Sequence, residues 1–151
     1  MATFTVAVDF LEDIAEAVHN LGTGTLTLAL SPTAPTAETP DPLTTGNGTR
    51  ANLTGEITYT NYTDDCTVDR VLDNVTSAEA AGTYKLDADD VVITASGGAI
   101  ADFRYVYLWN DSATSPADAI IGVWDHGSTI SLATGESATI QWNASGILTI
   151  S

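Results

Sequence analysis

Few residues of this chain have types and spacing suited to chemistry. His126 lies in the run Trp124-Asp125-His126-Gly127-Ser128, which places a carboxylate, an imidazole and a hydroxyl close together along the chain. Those three groups could in principle run nucleophilic acyl transfer, with Ser attacking, His taking its proton and Asp orienting the ring. A working triad needs Ser and Asp at opposite ring nitrogens, usually from separate elements. Neighbours along one strand and turn are poorly placed for that, so His126 reads as a residue at a hairpin end. The other histidine, His19, lies near the end of an expected helix, where a protonated imidazole interacts favourably with the dipole.

The carboxylates are the next candidates. Asp64, Asp65 and Asp69 form one acidic group and Asp87, Asp89 and Asp90 another. Calcium prefers several oxygen ligands on a glycine-turned loop, and neither group follows the D-x-[DN]-x-[DN]-G spacing. Glycoside hydrolysis would need carboxyls opposed across a cleft, which spacing along a chain does not reveal. Gly97 and Gly98 are too few for a phosphate loop. Cys66 is the single cysteine, so it forms no intrachain bridge and no CxxC site, and is expected as a small buried hydrophobe. Asn47, Asn52, Asn61, Asn74, Asn110 and Asn143 each open an N-x-S/T pattern, a chance outcome in a chain rich in Thr, Ser and Asn. No catalytic residue, no cofactor and no metal is expected.

The elements that would position these residues read mostly as strands. In Phe103, Tyr105, Tyr107 and Trp109 the aromatics fall on every second residue, which puts all four on one face of a strand, with Arg104, Val106 and Leu108 on the other. Apolar groups on both faces predict a central strand covered on both sides, by its own domain or by a neighbouring subunit. A polar segment joins it to Ile120–Trp124, giving a hairpin. Trp124 and, further on, Trp142 complete the aromatic set expected in the core or at an interface. Thr3–Val8 alternates, with Phe4, Val6 and Val8 on one face. One helix follows, with Asp9 and Glu12 as a capping box, Phe10, Ile14, Val18 and Leu21 as its apolar stripe and Gly22 at its end. Gly24–Leu30 predicts a half-buried strand. Further strands are expected at 56–62, 67–72, 90–94, 129–132, 138–142 and 146–150. Pro32, Pro35, Pro40 and Pro42 crowd the stretch 31–49, which therefore reads as a long loop or an extended arm. The pattern as a whole predicts a mainly β, antiparallel sandwich or jelly-roll-like fold with one short N-terminal helix, as a single domain over residues 1–151.

Charge bounds the partners. Twenty acidic residues against four basic ones give a formal net charge of −16. Nucleic acid and anionic membrane surfaces are excluded, because binding either requires phosphate-neutralising Lys and Arg. The acidity serves solubility, and it also suits a high-salt milieu where counterions screen self-repulsion. No basic stretch followed by an apolar run opens the sequence, so no cleaved secretion signal is expected. No apolar run is long enough to span a bilayer.

Two stretches resemble a known group. HNLGTGTLTLALSPTAPTAE, from His19 to Glu38, and the half from Gly82 to Ser151, through ASGG, FRYVYLWND, SPAD and a Gly-Glu turn before the last strand, are similar to small structural proteins of tailed bacteriophages and related tailed viruses, of the capsid decoration or cement kind. Residues 51–81 match that group poorly. The resemblance implies a virion component, a β-sandwich that copies itself around a symmetric particle, in head or tail; with no catalytic constellation in the residues, the leading expectation is a non-enzymatic decoration protein on the outer surface of an icosahedral head. Its implied partners are the major capsid protein and further copies of itself, as a trimer or dimer. The candidate contacts are Phe4 and Val6 in the first strand and Pro32, Pro35, Pro40, Pro42 and Leu43 in the arm. The alternatives are a receptor- or glycan-binding subunit of a tail fibre or head spike, with Tyr105, Tyr107 and Trp109 stacking on sugars, and a tail-tube or tail-completion subunit.

Overall fold

A computed structural model describes residues 3–151. In chain order the elements are β1 (Thr3–Val6), α1 (Phe10–Ala15), β2 (Leu26–Ser31), β3 (Tyr62–Asp64), β4 (Thr76–Ala80), β5 (Thr83–Asp87), β6 (Val91–Ala95), β7 (Phe103–Asn110), β8 (Ile120–Ile130), β9 (Ser137–Ile140) and β10 (Leu148–Ile150). They form three antiparallel sheets, ordered β1-β8-β7-β2, β10-β5-β4 and β3-β6-β9. The fold is mainly β and sandwich-like, with one short N-terminal helix, as the alternation predicts.

One apolar cluster joins all three sheets. It takes Leu26, Leu28 and Leu30 from β2, Val106 and Leu108 from β7, Ile121 and Trp124 from β8, and Leu86, Ile93, Ile140 and Leu148 from the smaller sheets. A second cluster lies on the opposite face of the large sheet. It holds Ala29 of β2, Tyr105, Tyr107 and Trp109 of β7, and Ile120 and Val123 of β8. β2 is therefore buried on both faces, where its sequence predicts a half-buried strand. Thr27 and Ala29, read as solvent-facing, are covered by the rest of the chain.

Irregular pairing decides which side chain meets which cluster. Phe103 pairs with Ile130 and Tyr105 with Asp125, so β8 inserts extra residues between them, and Phe103 packs in the main core rather than beside Tyr105. The expectation of four aromatics on one face thus holds for three. A second shift between Leu108 and Trp109 leaves Ile121 extra, which lets Ile120 and Val123 face one cluster while Ile121 and Trp124 face the other. Gly122 follows from close approach, since a Cβ there would stand 2.6 Å from Phe4 Cζ and from Thr5 O of β1.

Other expectations are corrected. The helix stops at Ala15, and Ala17 takes a left-handed φ of 61°, so the stripe to Leu21 continues as irregular chain and Gly22 is no cap. Asp9 makes no side-chain cap; it accepts instead from the backbone N–H of Asn47. The stretches 56–62 and 67–72 are almost wholly irregular. They run along β2, Ile57 N donating to Leu30 O, Arg70 O accepting from Leu28 N and Leu72 N donating to Leu26 O. The β4–β5 hairpin, which carries little apolar alternation, escapes prediction, and the expected separate strand at 129–132 begins as the end of β8.

Candidate functional site

The aromatic face of β7 is closed. Tyr105, Tyr107 and Trp109 are buried beneath Ala34, Leu43 and Leu53, which come from the Pro-rich stretch and the chain just after it. Tyr107 donates its hydroxyl to Thr33 O at 3.0 Å, and Gly48 O accepts from Ile120 N at 2.9 Å. Burial pushes the Tyr107 phenol well above its ordinary range. Arg50 lies over the Trp109 ring at 4.9 Å. These rings are core, and no face of them is open for a sugar to stack upon.

The stretch 31–49 is consequently no free arm. Its turns are held by its own side chains: Asp41 accepts from Leu43 N at 2.9 Å and from the Thr44 hydroxyl at 2.7 Å. Buried Glu38 accepts from both the backbone and the hydroxyl of Thr54. Gly48 meets Pro42 so closely that a Cβ would fall 2.7 Å from the proline. Pro35 and Pro42 are buried within the chain's own fold and cannot be contacts, whereas Pro32 stays exposed and Pro40 and Leu43 are partly covered. The missed signal lay in this very stretch, where Glu38 and Asp41 are separated by the spacing of a turn and face Thr-rich chain.

Every basic side chain lies against a carboxylate. Arg50 grips Glu56 with two bonds of 3.1 Å, Arg70 stands 3.6 Å from the same carboxylate and 3.2 Å from Asp69, Lys85 meets Asp87 at 2.8 Å and Arg104 meets Asp125 at 2.8 Å. Tyr59 ties the first group to β2, donating to Glu56 at 2.7 Å, accepting from Leu30 N at 3.1 Å and carrying Arg70 over its ring at 3.8 Å. Burial pushes the Tyr59 phenol up to about 12.

The Asp-His-Ser run makes no relay. Both oxygens of Asp125 are taken by Arg104, at 2.8 and 3.0 Å, and this hydrogen-bonded guanidinium holds the carboxyl below its ordinary value. His126 Nδ1 lies 2.9 Å from Ser128 O, so this nitrogen carries a proton and donates to the carbonyl instead of taking a proton from the Ser128 hydroxyl. His19 is fully buried rather than a charged helix-end residue. Its Nε2 faces Asp13 at 3.6 Å, its Nδ1 faces Asn110 Nδ2 at 3.4 Å, and burial lowers its pKa. Asp13 in turn is pushed up to about 6, first by burial and then by Asp9, Glu12 and Glu16.

The acidic groups act as local caps. Asp64 accepts from Cys66 N, Arg70 N and the Tyr62 hydroxyl, Asp65 from Val92 N, and Asp90 from Trp142 N. Among the described residues no group of three or more His, Cys, Asp or Glu is placed to hold a metal ion. Cys66 is half-buried, and burial followed by Asp64, Asp73 and Asp65 pushes its thiol up to about 12.

A large concavity lies elsewhere, between β1–β8 and the chain around β9 and β10. It is a groove of about 1000 Å³ with Phe4, Trp124 and Trp142 at its base and His126, Gln141 and Asn143 among its polar lining. Phe4 meets Trp142 edge-on at 6.1 Å, and His126 stacks on Trp124 at 5.6 Å.

No family model matches the chain, and neither a curated protein nor a solved structure matches it.

Proposed function

We propose that the chain is a virion structural protein that decorates the outside of an icosahedral head and stabilises it. The observation that carries this reading is a run of exposed apolar side chains at the N-terminal edge: Val6, Val8 and Leu11 are exposed to 40%, 55% and 63%, three of the four large exposed hydrophobics among the described residues. Solitary surface hydrophobics are ordinary, but three within six residues beside an edge strand suit a protein contact. The resemblance of Gly82–Ser151 to phage decoration proteins supports the same reading. So does the strongly acidic composition, whose four Lys and Arg are all paired, since it suits basic ground on a partner.

The partners in this reading are the major capsid protein and further copies of the chain. The mechanism is linkage: a protein that binds the assembled shell and not its free subunits shifts the equilibrium toward the shell, by about 2.7 kcal/mol per site at a hundred times Kd. Val6 stays from the expected contacts, and Val8 and Leu11 take the place of the buried Pro35 and Pro42. The test is co-sedimentation with expanded and unexpanded shells of the source virus, read with the shell disruption temperature. Binding that raises this temperature, and that Val8→Asp with Leu11→Asp abolishes, is expected. Failure to bind a shell at any stage overturns the reading.

A further inference from the structure

We infer that Asn47 is a site of spontaneous modification, where cyclisation onto Gly48 and loss of ammonia leave aspartate and isoaspartate in its place. The inference does not rest on the decoration reading, since it concerns the chain's own chemistry in water. Sequence supplies the first argument. Of the seven asparagines, Asn47 alone precedes a glycine, whose backbone nitrogen has no neighbouring Cβ to hinder its approach to a side-chain carbonyl.

Side-chain bonding separates Asn47 further. The other six are all engaged: Oδ1 accepts from Gly22 N in Asn20, from Thr49 N in Asn52, from Ser112 N in Asn110 and from Ser145 N in Asn143, while Nδ2 donates to Ala99 O in Asn61 and to Asp89 in Asn74. Asn47 is exposed, and its only hydrogen bond among the described residues runs from its backbone N to Asp9, so its amide is free to turn toward the chain. Gly48 N donates to no group among the described residues, whereas Gly48 O is fixed by Ile120 N at 2.9 Å. Electrophile and nucleophile are therefore adjacent, and both are unengaged.

The step balances with water as the only co-reactant. Gly48 N gives up its proton to solvent and attacks Asn47 Cγ, forming a new N–C bond. The Cγ–Nδ2 bond breaks, and the amide leaves as ammonia, taking a proton equivalent to the one released. Water then opens the imide, at Cγ to give aspartate or at the main-chain carbonyl to give isoaspartate. Nothing is oxidised or reduced.

The surroundings give the change a consequence. Asp9 accepts from Asn47 N, a Cβ at Gly46 would stand 3.1 Å from the Asp9 carboxylate, and one at Gly48 would stand 2.7 Å from Pro42. Val8 N donates to Pro42 O at 3.0 Å, so these contacts join the Pro-rich cover to the N-terminal segment. Either product sets a new carboxylate near Asp9, in a chain already at net charge −16. Isoaspartate also routes the main chain through the side-chain carbon, adding length between the anchors at Asp9 and Pro42. Conversion therefore loosens the joint, irreversibly and in step with the age of the molecule.

The experiment holds the full folded chain at mildly alkaline pH for weeks and digests samples in mild acid, where the reaction is slow. Each asparagine is followed by peptide mass spectrometry, with fragmentation that separates aspartate from isoaspartate, and a urea-unfolded sample gives the reference rate. The expected result is loss of most intact Asn47 before any other asparagine changes, with isoaspartate accumulating beside aspartate. Hydrogen exchange at Val8 should quicken in the converted protein. Asn47→Gln, whose longer side chain closes a ring far more slowly, should keep both its amide and the original exchange rate. The inference is overturned if Asn47 stays intact in the folded chain while the unfolded reference converts, or if another asparagine converts as early. Unchanged exchange at Val8 in the converted protein would overturn the loosening of the joint.

Discussion

Asp13 and His19 face each other in the interior with no Lys or Arg paired to either among the described residues, and their titration follows from that. A carboxyl whose folded pKa is raised to about 6 holds its proton better in the folded chain than in the unfolded one. Its contribution therefore favours the fold below about pH 4 and is lost as pH rises through about 6. His19, lowered by burial, works in the opposite sense: the fold prefers it neutral and loses stability as pH falls below its ordinary value of 6.5. Asp13→Asn removes the first effect, so the variant is expected to melt a few degrees above the parent at pH 7 and to converge with it near pH 4. Melting curves across that range check it, and an equal offset at both ends would refute the assignment. Glu56 is the second sensitive residue, because two guanidiniums and a phenol converge on it. Glu56→Ala is expected to cost about 2–3 kcal/mol in urea unfolding, the usual scale for losing charge-assisted bonds that are partly buried. Sequence could rank these residues only by type. His19 looked like a helix-end cation because nothing in the local pattern announces the left-handed turn at Ala17, which ends the helix early and carries the imidazole inward.

Among the elements, β1 depends on a missing side chain. Gly122→Ala would push a methyl group into Phe4 and the β1 backbone, and overpacking of this kind costs about 1–3 kcal/mol. The loss should fall on β1 before the rest of the sheet, which hydrogen exchange at Thr5 and Ala7, whose amides face β8, would reveal as faster opening there than in β7. Trp109→Ala, beneath the Pro-rich cover, is expected to cost about 3–5 kcal/mol. The strands that alternate or run apolar were legible: β1, β2, β6, β7, the first half of β8, β9 and β10 all follow the side-chain period of two. The β4–β5 hairpin was not, because Thr76–Asp87 lies largely exposed and fully buries only Leu86, so burial never imposed a period on its sequence. The reverse error at 67–72 has a related cause. The alternation there arises where chain lies along the edge of β2 with little ladder of its own. The groove was illegible for a third reason: its lining comes from residues 4, 124–128 and 139–149, brought together only by sheet order.

For the molecule as a whole, charge sets the response to solvent. With 20 acidic side chains and each of the 4 basic ones already paired, the remaining carboxylates repel one another, so the fold should gain stability as salt screens them. Raising sodium chloride from about 0.05 M to 1 M, where the screening length falls to about 3 Å, should raise the melting temperature by several degrees. A flat or falling curve would show that self-repulsion is unimportant. The cover over the second aromatic cluster reaches further, into the way such a sequence can drift. Within one short stretch, Pro32, Thr36, Ala37, Thr39, Thr44 and Thr45 face water, while Pro35, Glu38, Asp41, Pro42, Gly46 and Gly48 are buried against the sheet or against each other. Descendants of this chain should therefore show a two-speed record in that stretch, the first set changing freely and the second nearly fixed. A segment whose composition reads as loop would then carry the substitution pattern of a core.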